Sequence, residues 1–350
     1  MDNTILFYFL FICTTLSYNS SAYFISKIRS KIKNLIKKNI MDETFDSEEI
    51  IINTDNLKKL NIKHLVLSGG GQAGFSIYGA VSELINNKII LLDDIETFYS
   101  TSAGSFISVM VCLSLNKNDL VEYFMNRPWE NIFPLQPTMV FDVYNKKGLY
   151  DGSFIQEMFK PLFGACDLST NMTLKEFHEY TNKEHHFFSV DVNKFELIDI
   201  SYKNFPDLPL LKALHMTSAI PYLIQPVIYE DKCLIDGGVI MNYPVKPCLE
   251  QTKCSEDEIL GIKTVSLYNT NPIINKNSTL LDLTYSFLYH IKNNLQDNDN
   301  DKYKINNINL PFEGIKISSL REVVCSKESR IQLIMKGKKI AKDYIIDLKQ

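Results

Sequence analysis

The chain has 350 residues, of which 45% are hydrophobic and 22% charged, and a formal net charge of -4 at pH 7. That is enough apolar material for one large domain with appendages, and without a basic excess the composition argues against nucleic acid as a partner. Seven cysteines, an odd number with no CxxC pair, suggest neither a disulfide framework nor a zinc site and read as free thiols in a reducing compartment.

The first 25 residues form a hydrophobic N-terminal segment. It carries no charge from Ile5 to Ile25, is apolar over Ile5 to Ile12, and is then diluted by Thr14, Thr15, Ser17, Asn19, Ser20 and Ser21. Its length is near the roughly 20 residues that span a bilayer. Asp2 stands where a secretory signal usually carries basic residues, and a basic flank of Lys27, Arg29, Lys31, Lys33, Lys37 and Lys38 follows. Three readings stay open: a membrane anchor, a cleaved signal, or neither. The positive flank favours an anchor that keeps the rest of the chain on the cytosolic side, and such a segment also suits an anionic membrane surface. Residues 26–60 read as a linker, basic and then acidic from Asp42 to Glu49, and a start at Met41 would remove the question.

Between residues 61 and 250 the pattern becomes compact. Lys63 to Ser68 predicts a strand, and Gly69 to Gly74 a turn that opens a helix with Ile77, Ala80, Val81, Leu84 and Ile85 at helical spacing. Ile95 to Tyr99 predicts the next strand. It is followed by a helix over Phe106 to Leu113 that is apolar on nearly all sides and therefore buried. Strands alternating with helices predict an α/β fold, a central and mainly parallel sheet with helices on both faces. Phe187 to Asp191 with Phe195 to Ile200 predicts a hairpin, and Val227 to Tyr229 with Cys233 to Ile235 a shorter one that delivers Asp236 to the rim of the sheet. Residues 251–350 read as a C-terminal extension. It holds a helix-like stretch from Leu281 to Ile291, an Asn/Asp-rich loop from Asn293 to Asp301, and a terminal helix from about Ser329 to Leu348.

Three places carry chemistry. Gly69-Gly70-Gly71-Gln72-Ala73-Gly74 satisfies the G-x-G-x-x-G of a dinucleotide site, with Asp94 twenty residues on. The acid of such a site belongs at the C-terminal end of the second strand, however, and Asp93 and Asp94 precede that strand. The other readings are a structural tight turn and an oxyanion hole, in which the N–H groups of Gly69, Gly70 and Gly71 face a developing negative charge. Ser102 lies in a second strand-to-helix turn, where a nucleophile needs small neighbours; Gly104 meets that need and Ser100 nearly does. The plainer role for Ser102 is a helix cap. Asp236 ends an apolar strand, and Gly237 and Gly238 let the backbone turn tightly after it; an Asp that merely closes a turn is the structural alternative. A Ser-Asp-His triad would require a histidine after the acid. Only His290 lies there, in a helical stretch, so the base is expected to be Asp236 itself.

Five segments in order, Ser68-Gly69-Gly70-Gly71, Thr101-Ser102-Ala103-Gly104, Thr217-Ser218-Ala219-Ile220-Pro221, Gln225-Pro226-Val227 and Asp236-Gly237-Gly238-Val239-Ile240-Met241-Asn242-Tyr243-Pro244-Val245, resemble the patatin-like phospholipases. The resemblance runs from His64 to about Val245. It implies the three-layer patatin-like fold and a serine-dependent lipid acyl hydrolase with Ser102 as nucleophile, Asp236 as general base and the Gly69 to Gly71 amides as oxyanion donors. It further implies a phospholipid or other acyl-ester lipid as substrate, and no cofactor or metal. The family usually places Arg or Lys where this sequence has Ala73. A lipid-binding relative that has lost turnover is the alternative.

Overall fold

In a computed structural model of the chain, the described residues are 60–134, 139–266, 274–276, 278, 280–295, 302–312, 314 and 317–348. The N-terminal segment, most of the linker and residues 296–301 of the Asn/Asp-rich run lie outside them. Ten strands are present among the described residues: β1 (His64–Leu67), β2 (Thr97–Thr101), β3 (Gly148–Tyr150), β4 (Glu184–Asp191), β5 (Glu196–Ile200), β6 (Tyr222–Ile224), β7 (Val227–Tyr229), β8 (Lys232–Asp236), β9 (Ile259–Ser266) and β10 (Asn306–Phe312).

Eight of them form one sheet in the order β10-β9-β1-β2-β4-β8-β7, with β5 paired to β4; β3 and β6 form a separate parallel pair. Strands β10, β9, β1, β2 and β4 are mutually parallel. The two hairpins expected from the sequence, β4–β5 and β7–β8, add the antiparallel part. Every residue of β1 and β2 is buried, as a parallel strand covered on both faces requires. The helix Ala103–Cys112 is buried over most of its length, in keeping with its uniform apolarity. The α/β class is therefore as expected.

One expectation shifts. The second strand occupies Thr97–Thr101 and not Ile95–Tyr99, because a short turn at Leu92–Asp94 takes up the approach and pairing with β1 begins at His64 opposite Thr97. Beyond residue 250, β9 and β10 extend the sheet on the far side of β1, and the helix Lys327–Asp347 packs along Gly74–Asn86. The physical reason is that β1 needs a neighbour on its second edge, and Ile259, Leu260 and Ile262, all buried, supply it. Among the described residues no helix is long and apolar enough to cross a membrane.

The contact between Gly74–Asn86 and Lys327–Asp347 is made at backbone distance. A Cβ on Gly79 would sit 2.1 Å from the Ile334 carbonyl oxygen, and one on Gly337 would sit 1.9 Å from that of Ser76. The Ser76 hydroxyl donates to the Leu333 carbonyl at 2.8 Å across the same crossing. Gly337→Leu is expected to force the helices apart and to lower stability by about 3 kcal/mol, read as a lower denaturant midpoint. An equally large change placed at exposed Met335 is expected to leave the midpoint nearly unmoved.

Candidate active site

Strands β1 and β2 are neighbours and run parallel, with Leu67 opposite Ser100, so the turns that follow them emerge at one edge of the sheet. Strand β8 reaches the same level from the opposite direction. Phe188 of β4 pairs with Thr101, and the next residue, Ser189, pairs with Asp236. The residue that ends β8 is thereby brought to the height of Ser102, one strand beyond β4. The glycine turn, Ser102 and Asp236, more than 160 residues apart at the extremes, converge because of this register.

Ser102 is buried and adopts φ 52° and ψ -123° at the start of the helix Ala103–Cys112. This is a left-handed φ that a side chain makes costly, held by its surroundings. Its side chain does not cap the helix; its backbone N–H donates to Thr217 Oγ1 at 3.1 Å, and Thr217 in turn donates to the Phe188 carbonyl at 2.5 Å. The sharp reversal brings Gly104 against β1, where a Cβ would lie 2.6 Å from the Leu67 carbonyl oxygen. Ser100, the departure from glycine on the other side, is fully buried, with its hydroxyl 3.5 Å from that of Ser108, so the hydroxymethyl group is accommodated.

The Asp236 carboxyl is buried beside Ser102. Burial pushes its pKa up to about 6, against the opposing pull of hydrogen bonds from the Ser102 side chain and from the Gly238 amide, whose N–H donates at 2.7 Å. Gly237 and Gly238 form the tight turn after β8, as expected. An aspartate with its pKa near neutral and a serine partner can exchange a proton with that serine.

The three glycines expected as donors do not stand alike. Gly69 N–H donates to the Asn242 carbonyl at 3.1 Å, while the Gly69 carbonyl accepts from Thr264 Oγ1 at 2.7 Å and from Asn242 Nδ2 at 3.3 Å. The Gly69 amide is thus occupied with holding the turn. Gly70 and Gly71 follow it, and Gly74 begins the next helix. Thr101 Oγ1 donates to the Met241 carbonyl at 2.8 Å, so residues 241 and 242 clamp both turns to the loop that carries Asp236. These supports, with Thr217 and Thr264, were not assigned from the sequence. All but Thr264 lay within the segments that carried the resemblance, the one signal that marked them.

Ser102 opens into an apolar pocket of about 340 Å³, walled by Phe75, Phe106, Met110, Phe124, Trp129 and Phe154. Its size falls in the range of small-molecule sites, roughly 300–1,000 Å³. Edge-on contacts of Phe75 with Phe124 and Trp129, at 5.5 and 5.8 Å between ring centroids, stiffen the wall. The histidines are engaged elsewhere: His64 with Thr97, His178 with the Lys183 carbonyl, His186 with Glu184 and Asp199, His215 with the Gln225 carbonyl, and His185 stacked on Phe98. His290 lies on the helix Leu280–Leu295, which packs against the turn Gly237–Val239. Among the described residues no group of three or more His, Cys, Asp or Glu could hold a metal ion.

A family model described as Patatin-like phospholipase matches residues 65–249. The chain is 26% identical over 223 residues to Probable lipid hydrolase 463L of Invertebrate iridescent virus 6, covering 62% of this chain and 75% of that one. It is 23% identical over 189 residues to Uncharacterized protein R571 of Acanthamoeba polyphaga mimivirus, covering 54% of this chain and 62% of that one. Among solved structures, VipD from Legionella pneumophila aligns over 82% of this chain and 67% of that one, with 14% identity and a TM-score of 0.48.

The left-handed φ of Ser102 has a measurable cost. Ser102→Gly is expected to be about 1 kcal/mol more stable than Ser102→Ala, since glycine relaxes the backbone and alanine keeps the clash. Equal denaturant midpoints for the two variants would contradict the strain.

Proposed function

Since the chain belongs to the patatin-like phospholipase family, we propose that it is a serine-dependent lipid acyl hydrolase that cleaves fatty-acyl esters of phospholipids with Ser102 as nucleophile and Asp236 as base. The observation that carries this reading is the buried Asp236, its pKa raised to about 6, bonded to a serine that is held at a left-handed φ on the wall of an apolar pocket.

In the proposed reaction the acyl chain lies in the pocket with its ester carbonyl against Ser102. Asp236 takes the hydroxyl proton as Ser102 Oγ attacks the carbonyl carbon. The negative charge that develops on the carbonyl oxygen is received by the backbone N–H groups of Gly70 and Gly71, which carry no side chain in the way; Gly69 serves by fixing the turn. As the tetrahedral species collapses, the ester C–O bond breaks and Asp236 returns the proton to the departing alcohol. Water then gives a proton to Asp236 and attacks the acyl-enzyme. Fatty acid leaves, and Ser102 regains its hydrogen. A relative that only binds lipid would leave Ser102 unreactive, so covalent labelling by a fluorophosphonate separates the two readings.

On a soluble chromogenic ester, Asp236→Asn is expected to lower kcat by about 10²- to 10⁴-fold, and Ser102→Ala to abolish both turnover and labelling. His290→Ala is expected to leave turnover nearly intact; its loss in a folded variant would restore a histidine to the mechanism. The base must be ionised, so kcat/KM is expected to fall as pH drops through about 6 and to reach a plateau above it.

The uncharged run from Ile5 to Ile25 and its basic flank support a membrane surface as the place of action. The full chain is expected to sediment with membranes and to resist high salt, while a chain starting at Met41 stays in the supernatant. Release of the full chain by salt alone would leave a surface-bound basic segment in place of an anchor.

A further inference from the structure

The lining of the Ser102 pocket is mostly apolar and includes two charged side chains exposed at its rim, Arg321 and Glu130. Burial lowers the pKa of Arg330, against the opposing pull of the Glu130 and Glu328 charges. Arg321 is exposed, and among the described residues no hydrogen bond or ion pair engages its guanidinium. Arg321 thus sets a guanidinium open to solvent beside a pocket whose walls are mostly apolar.

The position of this charge is built. Arg321 lies on the helix Ile317–Cys325, which packs against the glycine turn at Gly71–Ala73 and against Trp129–Ile132. The helix is anchored by Arg330, a buried guanidinium that donates to the Val323 and Val324 carbonyls at 2.9 and 3.0 Å. Arg330 also reaches the Phe124 and Met125 carbonyls, at 2.9 and 2.8 Å, in the helix Lys117–Asn126. One buried side chain thus satisfies the terminal carbonyls of two helices and sets the rim against the pocket wall. On the turn side, Gln72 Nε2 donates to the Gly314 carbonyl at 3.0 Å, just before the same helix.

We propose that Arg321 receives the phosphate of a glycerophospholipid whose acyl chain fills the pocket, and so makes the site selective for phosphate-bearing esters over neutral ones. This rests on the acyl-pocket reading given above. A guanidinium binds phosphate through paired charge-assisted hydrogen bonds, and the residues of the glycine turn, Gly69 to Gly74, offer no competing cation.

The test compares two ligands with the same octanoyl ester, lysophosphatidic acid and monoacylglycerol, on the full chain. Binding is measured by calorimetry in the Ser102→Ala background, where turnover plays no part. The ratio of the two affinities is expected to favour the phosphate-bearing ligand and to fall about tenfold in Arg321→Gln, with part of the preference kept by Arg321→Lys. An unchanged ratio, or equal weakening of both ligands, overturns the proposal. If inorganic phosphate at millimolar concentration binds the protein with the same Arg321 dependence and no need of an acyl chain, the site is one for free phosphate and the lipid assignment is overturned. Turnover of both esters by the chain with Ser102 intact is read separately. Its absence, with the affinity ratio still dependent on Arg321, refutes the hydrolase and leaves the phosphate subsite standing.

Discussion

The parallel pairing of β1 with β2 is the constraint on which the site depends. A parallel pair delivers both of its following turns to the same edge of the sheet, and the register of Leu67 against Ser100 sets the glycine turn beside the serine turn. Antiparallel pairing would have sent them to opposite ends. The same logic explains why β8, which runs the other way, has to enter from beyond that edge and stop early: only then does Asp236 meet the level of Ser102.

Two local costs are held at this edge. Ser102 keeps a φ that its side chain disfavours, and Asp236 keeps a carboxyl out of water. Each is sustained by groups that have no part in the proposed chemistry. The Ser102 amide is tied to Thr217, the glycine turn to Asn242 and Thr264, and the end of β2 to the Met241 carbonyl. Strain of a kcal/mol or so persists where the surrounding hydrogen bonds leave the backbone no alternative. The raised pKa of Asp236 follows from the same enclosure, since a base exposed to water would stay a weak one.

The described residues beyond 250 have a structural role that their composition conceals. They add two strands to the open edge of β1, lay a long helix along Gly74–Asn86 at backbone contact, and close one side of the pocket with Ile317–Cys325. Arg330 links these tasks. Buried and donating only to carbonyls, it couples the long terminal helix to both helices at the pocket rim.

What the amino-acid sequence by itself determined was local. Alternation of apolar runs with turns marked β1, the helix Gly74–Asn86, both hairpins and the buried Ala103–Cys112 helix, because hydrophobic period and turn chemistry act over a few residues. The small residues around Ser102 and after Asp236 marked where the chain had to reverse, because steric demands at a reversal leave few residue types. The tertiary structure decided what depends on distant partners. It spent the Gly69 amide on Asn242, started β2 at Thr97 through pairing with His64, and drew β9 and β10 into the sheet on the far side of β1. It also placed Arg321 on the rim of the Ser102 pocket, more than two hundred residues from Ser102 in the chain. A hydrogen bond or a strand partner contributed from that far away leaves no periodic trace in the segment that receives it, and only the assembled sheet brings the two together.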